Sequence, residues 1–186
     1  LKEYPERKCK VYLLHGYVSD AEMHSLYVHP KIKALISLSH GEGFGLPLFE
    51  AAYSGLPIVT HDWGGQTDFL VMNKKDKKGK SKQRSFYSKV EYDLAPIQEE
   101  AVWENILIKE SEWAYPKQGK FKLKLRELKK NYVHKKNLAK KLKAHLKSDF
   151  SQEVQYEKVV SALCDKEYME MTQWLDELSE EIVEVA

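Results

Sequence analysis

Residues 40–50 read His-Gly-Glu-Gly-Phe-Gly-Leu-Pro-Leu-Phe-Glu, and no other stretch of this 186-residue chain constrains its fold as strongly. Three alternating glycines follow a short apolar run at 34–39, Ala-Leu-Ile-Ser-Leu-Ser. Pro47 suits the first position of a helix, and Gly55 suits the left-handed position that ends one. The spacing therefore predicts strand, glycine turn and helix, with the helix running from Pro47 to Ser54. Residues 57–60, Pro-Ile-Val-Thr, add a strand behind it. Upstream, residues 11–14, Val-Tyr-Leu-Leu, read as a buried strand ending at His15-Gly16. Ser19-Asp20 then caps a helix through about Tyr27, with Glu22 in its first turn. Strand, helix, strand, helix, strand with short links builds a parallel sheet with right-handed crossovers. The expected fold class is α/β, with a Rossmann-like parallel sheet.

Two further segments are expected to decorate that sheet. Residues 73–84 hold six lysines and Arg84 around Gly79, with no large apolar residue. They read as the basic tip of a β-hairpin flanked by residues 68–72 and 85–93. From residue 117 onward the periodicity becomes helical. Phe121, Leu125, Leu128 and Tyr132 mark one apolar stripe, and Leu138, Leu142 and Leu146 a second. Met171, Trp174, Leu175, Leu178 and Ile182 mark a third. The expected domain division is a Rossmann-like unit at 1–116, carrying the basic hairpin at 73–84, and a helical extension at 117–186 that packs on it. Charge is segregated along the extension. Residues 117–147 carry thirteen Lys or Arg against Glu127, and residues 165–186 carry eight Asp or Glu against Lys166. Basic hairpin and basic helices are the features that would meet an anionic membrane surface.

Over the whole chain, Lys plus Arg is 30 and Asp plus Glu is 28, a net charge of +2. That balance excludes a globally basic nucleic-acid binder. Cys9 and Cys164 are far apart and have no nearby cysteine, so neither a disulfide framework nor a thiolate zinc site is expected. His134 and His145 are eleven positions apart among lysines, which gives no metal spacing either. No apolar run approaches the roughly 18 residues that cross a bilayer, and no leader opens the sequence. The expectation is a cytoplasmic protein, at most peripheral to a membrane.

The chemistry concentrates at the glycine turn. Ligands of open α/β sheets bind beyond the carboxyl ends of the strands. Gly41, Gly43 and Gly45 let backbone approach a ligand closely, and amides at a helix N-terminus favour a phosphate. Glu42 and Glu50 stand eight positions apart around that cradle. A carboxylate can accept hydrogen bonds from two neighbouring hydroxyls at once. Ribose and pyranoses both present such vicinal hydroxyls, so the pair suits a sugar joined to a nucleoside through a diphosphate. Taken singly, each has a plainer role: a loop Glu is usually solvated, and a Glu in a first helical turn complements the helix dipole.

The run from Glu42 to Glu50, with Ala51-Ala52 and Gly55-Leu-Pro-Ile-Val59 after it, resembles the E-x7-E signature of retaining glycosyltransferases with the GT-B fold. It is most similar to the group 1 (GT4) family. Residues 14–27 resemble the stretch that precedes that signature, and Gly64-Gly65 the Gly-Gly turn that follows it. The likeness covers about residues 10–70.

The resemblance implies a role for each matching position. Glu50 would hold the ribose hydroxyls, and Glu42 the hydroxyls of the donor sugar near its reacting carbon. Backbone amides of Gly43, Phe44, Gly45 and Leu46 would face the sugar and diphosphate. Gly16, Tyr17 and Val18 would sit beside the base, and Gly64 and Gly65 would shape the far wall. The donor would be a nucleotide-diphosphate sugar, transferred with retention and without metal or other cofactor. The acceptor would be a sugar, a lipid-linked glycan or a protein glycan. The resemblance also implies an Arg and a Lys that neutralise the diphosphate, in a unit preceding Leu1, and an N-terminal acceptor domain or partner subunit. Other readings stay open. One is a GT-B epimerase or phosphorylase; another is a non-catalytic half-domain that binds nucleotide sugar or serves assembly. His15 and His40 are candidate polar contacts near the cleft, and Trp63 a candidate stacking surface. Trp103 and Trp113 are expected to pack in the core.

Overall fold

A computed structural model describes residues 8–75, 79–164, 170–171 and 173–174. Its first elements are α1 (Asp20–Val28), β1 (Leu35–Ile36), α2 (Leu46–Tyr53) and β2 (Ile58–Thr60). A short α3 (Thr67–Leu70) leads into β3 (Val71–Lys75), β4 (Ser81–Ser85), β5 (Ser88–Lys89), β6 (Tyr92–Pro96) and β7 (Glu112–Pro116). The chain then turns helical, with α4 (Gln118–Lys130), α5 (Tyr132–Asp149) and α6 (Gln152–Leu163). The architecture is mixed α/β, with a small parallel sheet, two antiparallel hairpins and C-terminal helices.

The parallel sheet has the order β1-β2-β5, pairing Leu35 with Ile58, Ile36 with Val59, and Val59 with Ser88. Alternate residues of a strand face opposite sides, and β2 shows what each side buries. Ile58 joins one core with Leu48, Ala51 and Ala52 of α2 and Leu142 and Leu146 of α5. Val59 joins a second with Val90, with Leu128, Phe121 and Leu125 of α4, and with Tyr132 at the start of α5. Helices therefore cover both faces, which is why β2 reads as an unbroken apolar run. The two apolar stripes of the helical half supply these cores, so sheet and helices are built around shared side chains.

Local signals explain the element ends. Ser19 caps α1 reciprocally: its hydroxyl accepts from the Glu22 amide, and the Glu22 carboxylate accepts from the Ser19 amide at 2.9 Å. Gly55 closes α2 at φ +76°, a conformation that a side chain disfavours. Gly45 opens α2 at φ +87°.

Several expectations fail. Residues 11–14 form no strand: Leu13 is 87% and Tyr12 83% exposed. An apolar run becomes a strand only when a ladder partner is available, and the described sheet ends at β1. The third strand of the sheet is β5 instead. The strand expected over 34–39 is two residues long; the Ser37 amide still donates to the Val59 carbonyl at 3.1 Å, and the chain then runs on into the glycine turn. Glu50 lies in the second turn of α2, not its first, so it does not serve as a first-turn charge at the helix N-terminus. The basic hairpin exists, but Lys74, Lys75, Lys82 and Arg84 stand on its strands, with Lys74 opposite Lys82 and Met72 opposite Arg84. Lys77 and Lys78 lie outside the described residues. Trp103 is 64% exposed rather than core. Trp113 packs on the glycine turn, described below. Of the third apolar stripe, Met171 and Trp174 are exposed, while Leu175, Leu178, Ile182 and most of the acidic run at 165–186 lie outside the described residues.

Candidate functional site

The turn that leaves β1 is held from three directions. Ser39 donates its hydroxyl to the Glu42 carboxylate at 2.8 Å. The Gly65 amide donates to the Glu42 carbonyl at 2.9 Å. His40 is stacked on Trp113 of β7, with ring centroids 4.7 Å apart, and its Nδ1 lies 2.9 Å from the Ala114 carbonyl. The hairpin β6–β7 thus braces the turn from outside. His40 is tied into this bracing through its Nδ1 and its ring face, whereas His15 stands solvent-exposed in the loop before α1.

The two glycine turns fit against each other with no room for a side chain. A Cβ on Gly65 would stand 1.8 Å from the Gly43 carbonyl oxygen. One on Gly64, at φ +112°, would stand 2.7 Å from the Glu42 carbonyl oxygen. By contrast, nothing lies within 4 Å of a Cβ on Gly43 or Gly16.

Two residues that sequence reasoning passed over hold the second turn in place. His61 is fully buried at the end of β2. Its Nδ1 accepts from the Trp63 amide at 3.1 Å, so its Nε2 carries the proton and donates to the Ser39 carbonyl. This ring therefore bridges the strand-end of the first turn and the start of the second. Gln66, also fully buried, donates its amide to the carbonyls of Trp63 at 2.7 Å and His61 at 3.3 Å. A His and a Gln flanking a Gly-Gly pair were the available signal, but only burial distinguishes a pinning role from a solvated one. Trp63 is partly exposed, within 6.2 Å of the Tyr92 ring.

The start of α2 is set by Gly45 as its cap and by the Phe44 ring, which packs 5.1 Å from Phe69 and 5.5 Å from Phe49. The amides of Gly43, Phe44, Gly45 and Leu46 donate to no acceptor among the described residues. They form a set of free donors at the positive end of a helix.

Glu50 lies further along α2 and faces α1. Tyr27 donates its hydroxyl to Glu50 Oε2 at 3.2 Å. Both line a cleft of about 690 Å³ with Val18, Asp20, Met23 and His24 on one side and Phe49, Tyr53, Ser54 and Phe150 on the other. Of the residues expected to form one donor site, the structure brings Val18 and Glu50 into this cleft. It gathers Glu42, Gly43, Gly45, Gly64 and Gly65 at the paired turns. Gly16 and Tyr17 stand in an exposed loop, and Tyr17 is 94% exposed, so these two are not gathered with either group.

Burial, and after it the Glu50 charge and hydrogen bond, push the Tyr27 phenol up to about 12. Phenol stays neutral longer in the folded chain than in the unfolded one, whose tyrosines titrate near 10. The associated stability is complete below pH 10 and is lost as the pH rises through 12. A difference titration of wild type against Tyr27→Phe at the phenolate absorbance is expected to show one phenol near 12. In Glu50→Gln that midpoint should move down, yet stay above about 10, because burial remains.

Comparison with known proteins fits this geometry. Residues 9–83 match the family described as glycosyl transferases group 1. Curated Escherichia coli proteins named serotype-specific mannosyltransferase WbdA are 42% identical over 62 residues, which is 33% of this chain. The chain spans only 7% of the length of these relatives. No solved structure matches the chain. The similarity to the glycosyl transferases group 1 family thus covers residues 9–83, the stretch that contains both glycine turns and the two glutamates.

Proposed function

We propose that this chain binds the donor of a retaining glycosyltransferase, a nucleotide-diphosphate sugar, and contributes the donor half of the site. The observation that carries the reading is the placement of the two carboxylates on either side of the free amides at 43–46. Glu50 opens into the cleft between α1 and α2, which can admit a nucleoside. Glu42 is fixed at the paired glycine turns, where a sugar would reach. The amides between them in sequence would receive the diphosphate that joins the two. The relatives are named mannosyltransferases, which makes a mannosyl donor the first to test.

The proposed reaction uses no protein nucleophile. An acceptor hydroxyl forms a bond to the anomeric carbon as the bond from that carbon to the diphosphate oxygen breaks. The acceptor proton passes to the departing diphosphate on the same face of the sugar, which preserves configuration. What the chain supplies is position and stabilisation of the leaving charge by the amides at 43–46. An N-terminal acceptor domain or partner subunit would complete the cleft and bring the acceptor.

Calorimetric titration with uridine, guanosine and adenosine diphosphates and their sugar conjugates tests this reading. One base should bind saturably, and its mannosyl conjugate should bind more tightly than the free diphosphate. Glu42→Ala should leave the free diphosphate unaffected and reduce the advantage of the conjugate by about tenfold, as expected for one charge-assisted hydrogen bond. Equal weakening of both ligands would remove Glu42 from the sugar subsite.

A further inference from the structure

Helix α5 carries four of its six lysines on one side. Lys136, Lys140, Lys143 and Lys147 recur at i, i+4, i+7 and i+11, so they share a stripe about 16 Å long. The stripe borders the end of α2. Lys136 donates to the Gly55 carbonyl at 2.8 Å, and Lys147 lies 5.8 Å from the centre of the Tyr53 ring. Lys33 joins at the near end, 5.4 Å from the Tyr132 ring.

None of these five lysines makes an ion pair among the described residues. Two of the lysines on α4 differ in this respect: Lys120 reaches Glu91 at 2.8 Å, and Lys124 reaches Glu127 at 3.0 Å. Crowding within the stripe has an electrostatic consequence. Burial, followed by the charges of Lys140, Lys143 and Lys33, holds the Lys136 ammonium below its ordinary value. Among the described residues, no carboxylate pairs with this run of like charges. Val133, one turn before Lys136 and 75% exposed, adds an apolar side chain at its flank.

We propose that the stripe of Lys33, Lys136, Lys140, Lys143 and Lys147 docks this chain on an anionic lipid surface. Its form favours a surface over a single small polyanion. The charges are spread along a helix rather than gathered round a cavity. They are ammonium groups on flexible stems, with no arginine fork to grip one phosphate. A charged bilayer matches such an array, since each lysine near it adds independently. Tyr53, beneath Lys147, also lines the cleft that holds Glu50, so docking brings that cleft to the level of the headgroups.

The test is co-sedimentation of the full chain with vesicles of one-third phosphatidylglycerol in phosphatidylcholine. Pure phosphatidylcholine vesicles serve as the neutral comparison. Binding is expected on the anionic vesicles alone and should fade as salt rises from about 0.05 M to about 0.5 M. The variant Lys140→Gln/Lys143→Gln/Lys147→Gln should partition about a hundredfold more weakly, at roughly fivefold for each lysine. Lys122→Gln/Lys129→Gln/Lys130→Gln removes the same charge from α4 and should bind nearly as wild type. Thermal melting of both variants verifies that they fold. Equal losses in the two would mean that net charge governs binding, and would overturn the stripe as the docking surface. So would equal binding to neutral vesicles, or no binding at all. Saturable one-to-one binding of inorganic tripolyphosphate, lost only in the α5 variant and unaccompanied by vesicle binding, would assign the stripe to a soluble anion and overturn the membrane proposal.

Discussion

Gly65→Ala should destabilise this chain by about 4 kcal/mol and abolish donor binding. The added Cβ would stand 1.8 Å from the Gly43 carbonyl oxygen and 3.2 Å from Phe44 Cα. Both are backbone atoms, so no rotamer change can relieve the overlap. The turns must part, and parting them breaks the 2.9 Å bond from the Gly65 amide to the Glu42 carbonyl. Overpacking of a tight site costs about 1–3 kcal/mol, and a lost buried hydrogen bond about 1 more. His61 and Gln66 raise the penalty, because they hold the second turn to Ser39 and to itself from below. Gly43→Ala is the control. Its Cβ meets nothing within 4 Å, so the urea midpoint should hardly move. A Gly65→Ala protein with wild-type midpoint and wild-type nucleotide affinity would refute the paired-turn account.

That contrast also shows where sequence reading succeeds and where it stops. The reciprocal cap of Ser19 and Glu22, the glycine at φ +76° and the strand 58–60 are visible because each depends on residues a few positions apart. The carboxylate pair is legible only as a spacing, since the structure puts Glu50 in the second turn of α2 and Glu42 at the paired turns. The failures all concern distant partners. Residues 11–14 have the apolar pattern of a strand, but pattern does not supply a neighbouring strand. Trp113 and Trp103 look alike in sequence, yet one stacks on His40 and the other is exposed, a difference decided by the β6–β7 ladder. Gly43 and Gly65 look alike as well. Only the approach of the second turn to the first makes one of them irreplaceable. His61 escaped notice for the same reason, since its two partners, at 39 and 63, lie on different loops.

Glu50→Ala should weaken nucleotide binding on the order of a thousandfold while leaving the fold nearly untouched. The magnitude follows from the proposed role. Two vicinal hydroxyls donating to one carboxylate make two charge-assisted hydrogen bonds, each about 1.5–3 kcal/mol, and about 4 kcal/mol together is roughly three decades in affinity. Separation of affinity from stability follows from the geometry. Glu50 is on the open side of α2, outside the core that Leu48, Ala51 and Ala52 form. Its protein contact is the 3.2 Å bond from Tyr27, whose hydroxyl lines the same cleft and can turn to water when the carboxylate is gone. Tyr27→Phe keeps the carboxylate and loses only that orienting bond, so it should weaken binding about fivefold, the worth of one ordinary hydrogen bond. The ordering is what tests the assignment. A structural role for Glu50 would lower the thermal midpoint in step with affinity, and Tyr27→Phe would mimic it. A ribose-binding role gives a large loss of affinity in Glu50→Ala, a small one in Tyr27→Phe, and unchanged melting in both. It also requires that a diphosphate lacking the nucleoside bind Glu50→Ala and wild type equally, because the amides at 43–46 that receive it are not disturbed. Wild-type nucleotide affinity in Glu50→Ala would remove the ribose from this cleft and leave the paired turns as the remaining candidate for donor contact.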